Sequence, residues 1–218
     1  MKEFEEKTGI RFTWSHTAKM DGFYSLSTAC TINPLCIERA KIQKSICSKC
    51  YSMSMNKKTM YSKMRAKLER NAEILTSGIL NDDEMPRLMS PCGLFRFEAF
   101  GDLINEIQVV NYFRIASANP KMPCALWTKN PWIIERSMKE YGIKKPANLQ
   151  ILASSYMMNE CMTEFLDKYD FIDKLFTVYD KKTIETENIK INCGGRKCAE
   201  CRKCYGKNKC QFINEKLK

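Results

Sequence analysis

The residues of this chain best suited to chemistry are its cysteines, twelve in 218 positions. They are unevenly spread. Cys193, Cys198, Cys201, Cys204 and Cys210 crowd the C-terminal stretch, and Cys30, Cys36, Cys47 and Cys50 crowd an earlier one. Cys198, Cys201 and Cys204 form an unbroken C-x-x-C-x-x-C run, which sets three thiols on one tight turn. Cys92, Cys124 and Cys161 are isolated beside apolar residues and read as small buried hydrophobes.

Three chemistries use such spacing. Bacterial ferredoxins hold three corners of a cubane on C-x2-C-x2-C and take the fourth thiolate from elsewhere. Zinc is held by C-x2-4-C hooks, usually as two separated pairs. Disulfide frameworks belong to secreted chains. The first residues, MKEFEEKTGIRF, carry no apolar h-region. The expectation is therefore a cytoplasmic protein, of the host cell if viral, with reduced thiols that bind metal. The unbroken run favours a [4Fe-4S] cluster on Cys193, Cys198, Cys201 and Cys204. Cys30, Cys36, Cys47 and Cys50 form a second set of metal ligands, with zinc as the alternative metal for both.

Other chemistries lack their residues. His16 is the only histidine, and its Trp14-Ser15-His16 setting has no metal spacing. No Walker loop, G-x-G-x-x-G, G-x-S-x-G or HExxH occurs. Gly194-Gly195 is too short for a phosphate cradle and suits a backbone approaching a sulfur or making a turn. Net charge is +11, from 36 Lys+Arg against 25 Asp+Glu. Two four-thiolate cubanes would lower it to roughly +7. The excess is compatible with solubility alone or with a nucleic-acid partner. No run approaches the ~20 apolar residues of a membrane helix.

Elements that alternate along the chain must position these groups. Residues 1–22 read as an edge strand or irregular lead-in, 23–29 as a strand, and 30–50 as a cysteine-bearing loop. Residues 57–79 read as a helix, with Met60, Met64, Leu68, Ala72 and Leu75 on one face. Strands follow at 94–100, 124–129, 149–155 and 174–179, with a last short one at 189–192. Helices are expected at 103–118, between Asn130-Pro131 and Gly142, at 159–168 and at 183–187. Strand and helix alternating at this interval give parallel βαβ units. The fold class read from this is α/β: a parallel-stranded partial (β/α)6 TIM-like barrel over 1–192, with a cysteine-rich extension, 193–218, packed on it. Polar groups cluster at the expected strand ends, where ligands bind in such folds: Glu98 and Asp102, Thr128 and Lys129, Ser154 and Ser155, Tyr179 and Asp180. Glu98, Asp102, Trp127 and Lys129 are the catalytic candidates. Helix capping is the plainer reading of Ser155 and Asp180. Trp127 and Trp132 suit either core packing or stacking on a cofactor or base.

Together, Cys47-Ser48-Lys49-Cys50-Tyr51, Phe97-Glu98-Ala99-Phe100-Gly101-Asp102, Leu126-Trp127-Thr128-Lys129-Asn130-Pro131 and the terminal cysteine run resemble the bacteriophage gene product 88 family over residues 23–205. More distantly the layout is similar to radical S-adenosylmethionine enzymes, whose partial barrel carries cluster cysteines after its first strand. That resemblance implies S-adenosylmethionine as a further cofactor. Two departures count against it: this loop reads C-x5-C-x10-C-x2-C rather than C-x3-C-x2-C, and the second expected strand ends Phe100-Gly101-Asp102 instead of a Gly-Gly-Glu type. The expected function is an iron–sulfur protein with one or two [4Fe-4S] clusters. It would act in electron transfer or as a radical-enzyme-like oxidoreductase, with a redox partner or small-molecule substrate. The alternative is a zinc-stapled nucleic-acid-binding protein.

Overall fold

A computed structural model of the chain describes residues 1–16, 18–207 and 211–217. Its sheet has seven strands in chain order: β1 (Thr13–Ser15), β2 (Phe23–Leu26), β3 (Phe95–Phe97), β4 (Cys124–Thr128), β5 (Leu149–Ser154), β6 (Lys174–Tyr179) and β7 (Phe212–Lys216). β1 is antiparallel to β2, and every later pair is parallel. The order never reverses, so this is not a doubly wound sheet. It is open, with β1 and β7 as its edges, and the expected barrel is not closed.

Helices fill the connections: α1 (Lys2–Thr8), α2 (Pro34–Arg39), α3 (Tyr51–Asn56), α4 (Ser62–Ser77), α5 (Glu106–Ser117), α6 (Pro131–Tyr141), α7 (Glu164–Lys168), α8 (Lys181–Thr186) and α9 (Cys198–Cys201). Period-two alternation splits the strands cleanly between two faces. Phe95, Phe97, Leu126, Ile151, Ala153 and Leu175 share one core with Leu75, Val109, Tyr112, Phe113, Ile133 and Ile134 of the helices. Phe23, Leu94, Ala125, Leu152 and Ile213 occupy the opposite face, which we call the inner face. Among the described residues that side is covered by Tyr205 and the segment carrying Cys193, Cys198 and Cys204, the single turn of α9 included.

Several expectations change. The lead-in holds α1 as well as an edge strand. Residues 189–192 form no strand; the last strand is β7, behind the cysteines. Helix α4 starts later than the apolar spacing implied, and Met60 is 77% exposed. Asn130 precedes α6 but makes no side-chain cap; its amide instead donates to Leu103 O at 3.1 Å. Gly142 does end α6 in the left-handed conformation, φ 62°. Asp180 caps α8 by accepting from Thr183 N, as the capping reading predicts; Ser155 caps no helix and instead folds back on Met157 in a turn. Among the described residues no helix is long and apolar enough to cross a membrane.

Candidate metal centres

The 30–50 loop arches over the C-terminal ends of β2 to β5, and its pins are polar. Asn33 caps α2 by accepting from Leu35 N and Cys36 N, and its amide donates to Asp102 O and Leu103 O at the end of β3. Arg39 is sandwiched between Trp132 and Tyr156, 5.3 and 4.8 Å from their ring centres. Ser45 accepts from Cys47 N and donates to Tyr156 O. Farther on, Tyr51 and Ser52 donate to Ala99 O and Phe100 O. The loop is thus tied to three neighbouring strand ends, which puts Cys30 next to Cys50 and Cys36 within electrostatic reach of Cys47 and Cys50.

Cys30 and Cys50 are electrostatically interacting neighbours. Hydrogen bonding to Cys50, with burial, holds the Cys30 thiol up; the bond from Cys30 is what lowers Cys50. Ser52 and Asn56 hydrogen-bond with the Cys30 sulfur at 3.4 and 3.8 Å. Cys36 is pushed up by burial, in electrostatic reach of Asp102, Lys129, Cys47 and Cys50. The Lys129 ammonium is the cation of the set. Burial works against its charge, but Asp102, Cys47, Cys36 and Cys50 outweigh it, and its pKa is raised.

The terminal set forms on the inner face between the starts of β2 and β3, where Lys197 and Arg202 anchor it, and the C-terminal half of β7, where Cys193 is bridged to Glu215. Cys193, Cys198, Cys201 and Cys204 ring one small cavity, with Lys19, Arg196, Arg202, Lys203 and Tyr205 in its wall. Lys19 donates to the Cys193 sulfur at 3.0 Å and to Glu215 at 2.7 Å. Arg202 reaches Cys92 O, and Lys197 pairs with Asp21, which fastens the segment beside β2 and β3. Burial pushes Cys204 up to about 12 and raises Cys198, against the opposing charge of Arg96. Arg96 Nε and Tyr205 Oη are buried with no hydrogen-bond partner among the described residues. Donors left over beside thiols suit an anionic group held there.

Among the described residues the cysteines therefore fall into two separate groups, each drawn from one stretch of chain, with no thiol shared between them. Cys210 lies outside the described residues. All eleven described cysteines are free. Among the described residues no three His, Cys, Asp or Glu side chains stand as the ready ligand set of a single ion. His16 meets Trp14 instead.

The catalytic candidates divide. Lys129 faces the first set. Asp102 ties the sheet together, accepting from Thr128 Oγ1 at 2.6 Å, Leu103 N and Lys129 N. Glu98 lies beneath the loop in a closed knot. Its carboxylate accepts from Tyr112 Oη at 2.5 Å, Gln108 Nε2 at 2.7 Å and Thr28 Oγ1 at 2.9 Å. Burial lifts its pKa to about 7 despite these donors. Trp127 lies on the inner face under the Arg96 guanidinium, 4.0 Å from its ring centre. Sequence reasoning missed Arg39, Arg96, Lys19 and Tyr205. Strand alternation in Phe95-Arg96-Phe97 carried the signal for Arg96: a cation opposite two core phenylalanines must face the other side.

Fold and site define a class: an α/β protein with one open, mostly parallel sheet and two cysteine-bearing segments, one over the strand ends and one against the inner face. The chain belongs to the Gene product 88 family, whose model it matches over residues 10–216. No curated protein and no solved structure matches it.

Proposed function

We propose that this protein binds two [4Fe-4S] clusters and transfers electrons. The observation that carries the reading is the gathering of eight cysteines into two sets of four, each beside its own cation. A cubane takes one thiolate at each of four irons, which is what each set offers. Cys30, Cys36, Cys47 and Cys50 would hold the first, with Lys129 offsetting its charge and Asn56 donating to a ligand sulfur. Cys193, Cys198, Cys201 and Cys204 would hold the second, with Lys19 on Cys193 and Arg96 behind it. Hydrogen bonds to sulfur and nearby cations favour the reduced, more negative state. When bound, the clusters supply one-electron chemistry; the chain supplies ligands, compensating charge and a partial screen from water.

Four thiolates at a cluster leave no iron open to substrate, which favours electron transfer over catalysis at the first set. S-adenosylmethionine has no place in this proposal: Glu98 and Asp102, the polar groups at the relevant strand end, are engaged by Thr28, Gln108, Tyr112 and Thr128.

Metal and sulfide analysis of anaerobically prepared protein tests the reading. The expected result is a brown protein absorbing near ~400 nm with about eight irons and matching sulfide. A colourless protein that holds only zinc after anaerobic reconstitution overturns it, and a nucleic-acid binding assay then takes up the alternative.

A further inference from the structure

We infer that Trp127 and Tyr205, with Arg96 stacked on Trp127, form an aromatic bridge that couples the two cysteine sites electronically. The inference rests on the two-cluster reading. The first set lies over the strand ends, beside Asp102 and Lys129, and the second reaches from the starts of β2 and β3, beside Asp21 and Cys92, to Glu215 of β7. On the β3 and β4 side about five residues of strand separate those levels, roughly 16 Å at ~3.3 Å per residue. The inner face between them is packed. Trp127 is two residues before Lys129, whose ammonium is in electrostatic reach of Cys36, Cys47 and Cys50. Its ring lies 5.9 Å from Tyr205, edge-on at 66°. Tyr205 directly follows Cys204 and packs on Phe23 as well, at 5.7 Å. Arg96 reaches electrostatically toward Cys198, Cys204 and Tyr205 on one side and Tyr51 on the other.

Electronic coupling falls exponentially with distance, and less steeply through packed side chains than across gaps. A cation over the indole face makes removing an electron from that ring harder. Trp127 is therefore a bridge and not a radical station. One electron leaves a reduced carrier protein, which is oxidised by one electron, and crosses from the second site to the first; no bond forms or breaks. The second site is the entry point because Lys19, Arg196, Arg202 and Lys203 surround it, a setting that suits an acidic one-electron carrier.

The test uses the full chain, reconstituted anaerobically, with iron counted first. A flash-generated reductant, photoexcited deazaflavin, injects one electron, and rapid-freeze paramagnetic resonance follows its equilibration between sites. Trp127→Leu is expected to slow equilibration about tenfold or more at unchanged iron content, whereas Trp127→Phe, which keeps an aromatic ring, slows it by no more than about threefold. Fully reduced wild type is expected to show spin–spin coupling between sites. Full iron occupancy with an unchanged rate in Trp127→Leu overturns the bridge alone. Should that variant lose its iron, absence of spin coupling in the wild type overturns it instead. A wild type without iron overturns the cluster reading as well.

Discussion

At the scale of single residues, Glu98 is the strongest test of the local energetics. It is 2% exposed, sits at φ 56° and is held by three side chains, Thr28 after β2 and Gln108 and Tyr112 of α5. Its folded pKa, about 7, lies above its ordinary 4.5. The folded state thus binds the proton more tightly than the unfolded one. This contribution is fully present below pH 4.5 and is lost as pH rises through 7, by on the order of 3 kcal/mol. Glu98→Gln removes the titration. Its amide oxygen can keep the place of Oε1, which takes the Tyr112, Gln108 and Thr28 hydroxyl bonds, and give up only the Thr28 N contact at Oε2. Urea unfolding between pH 4.5 and 8 should show a falling slope in the wild type and a nearly flat profile in Glu98→Gln. Parallel profiles would remove Glu98 as the source.

Gly101 makes a second prediction at this scale. A Cβ there would meet Thr28 O at 2.5 Å, Thr28 Oγ1 at 2.7 Å and Glu98 Oε2 at 2.8 Å. One of these is backbone, so the strain cannot be shed by a rotamer change. Gly101→Ala should cost about 1–3 kcal/mol. Because Thr28 leads straight into Cys30, it should also weaken metal retention at the first set while sparing the second. Chelator challenge, with each site's spectrum followed separately, checks the asymmetry; equal loss at both sites would contradict it.

At the scale of elements, what the sequence disclosed and what it withheld follow one physical line. Strands β4 to β6 and helix α6 were legible because their signals are local: apolar alternation, Pro131 in the first turn, Gly142 past the end. Strand β7 was not. Phe212–Lys216 is an edge strand with Lys216 exposed and Glu215 committed to Lys19, so its apolar content is low. The more apolar 189–192 segment lies beside it without forming a strand, held by Asn192 and Cys193 bonding to Asn214, by Asn192 donating to Phe212 O and by Asn214 donating to Lys190 O. The cysteine loop's geometry depends on partners far away in sequence, and neither Asn33, Arg39 nor Ser45 announces its pin. These pins make a prediction. Arg39→Ala removes two cation–π contacts and the aliphatic packing of a buried side chain that joins α2 to the ends of β4 and β5. A loss of about 1–3 kcal/mol is expected. Hydrogen exchange should then rise in 30–50 and stay unchanged in 193–207; uniform acceleration would count against a local clamp.

At the scale of the whole molecule, the two cysteine sets differ in what they support. The first closes a loop that lies over the strand ends and is already fastened by Asn33, Arg39, Ser45, Tyr51 and Ser52. The second organises the segment that covers the inner face, the short helix α9 included. Phe23, Leu94, Ala125 and Leu152 depend on Tyr205 and its neighbours to stay out of water. Metal binding at a site that does not persist in the unfolded chain is folding free energy, and the share that reaches the core should be larger where the ligands also hold the cover in place. Paired serine substitutions separate the two. Cys47→Ser with Cys50→Ser should leave about four irons and a modest loss of thermal stability. Cys198→Ser with Cys201→Ser should also leave about four, but with a larger drop in Tm and new binding of a hydrophobic dye, because the exposed sheet face carries Phe23 and Leu152. Equal drops in Tm, or dye binding in the first variant alone, would mean that the tail packs on the sheet without help from its cysteines, and that the cover is held by Tyr205, Arg202 and β7.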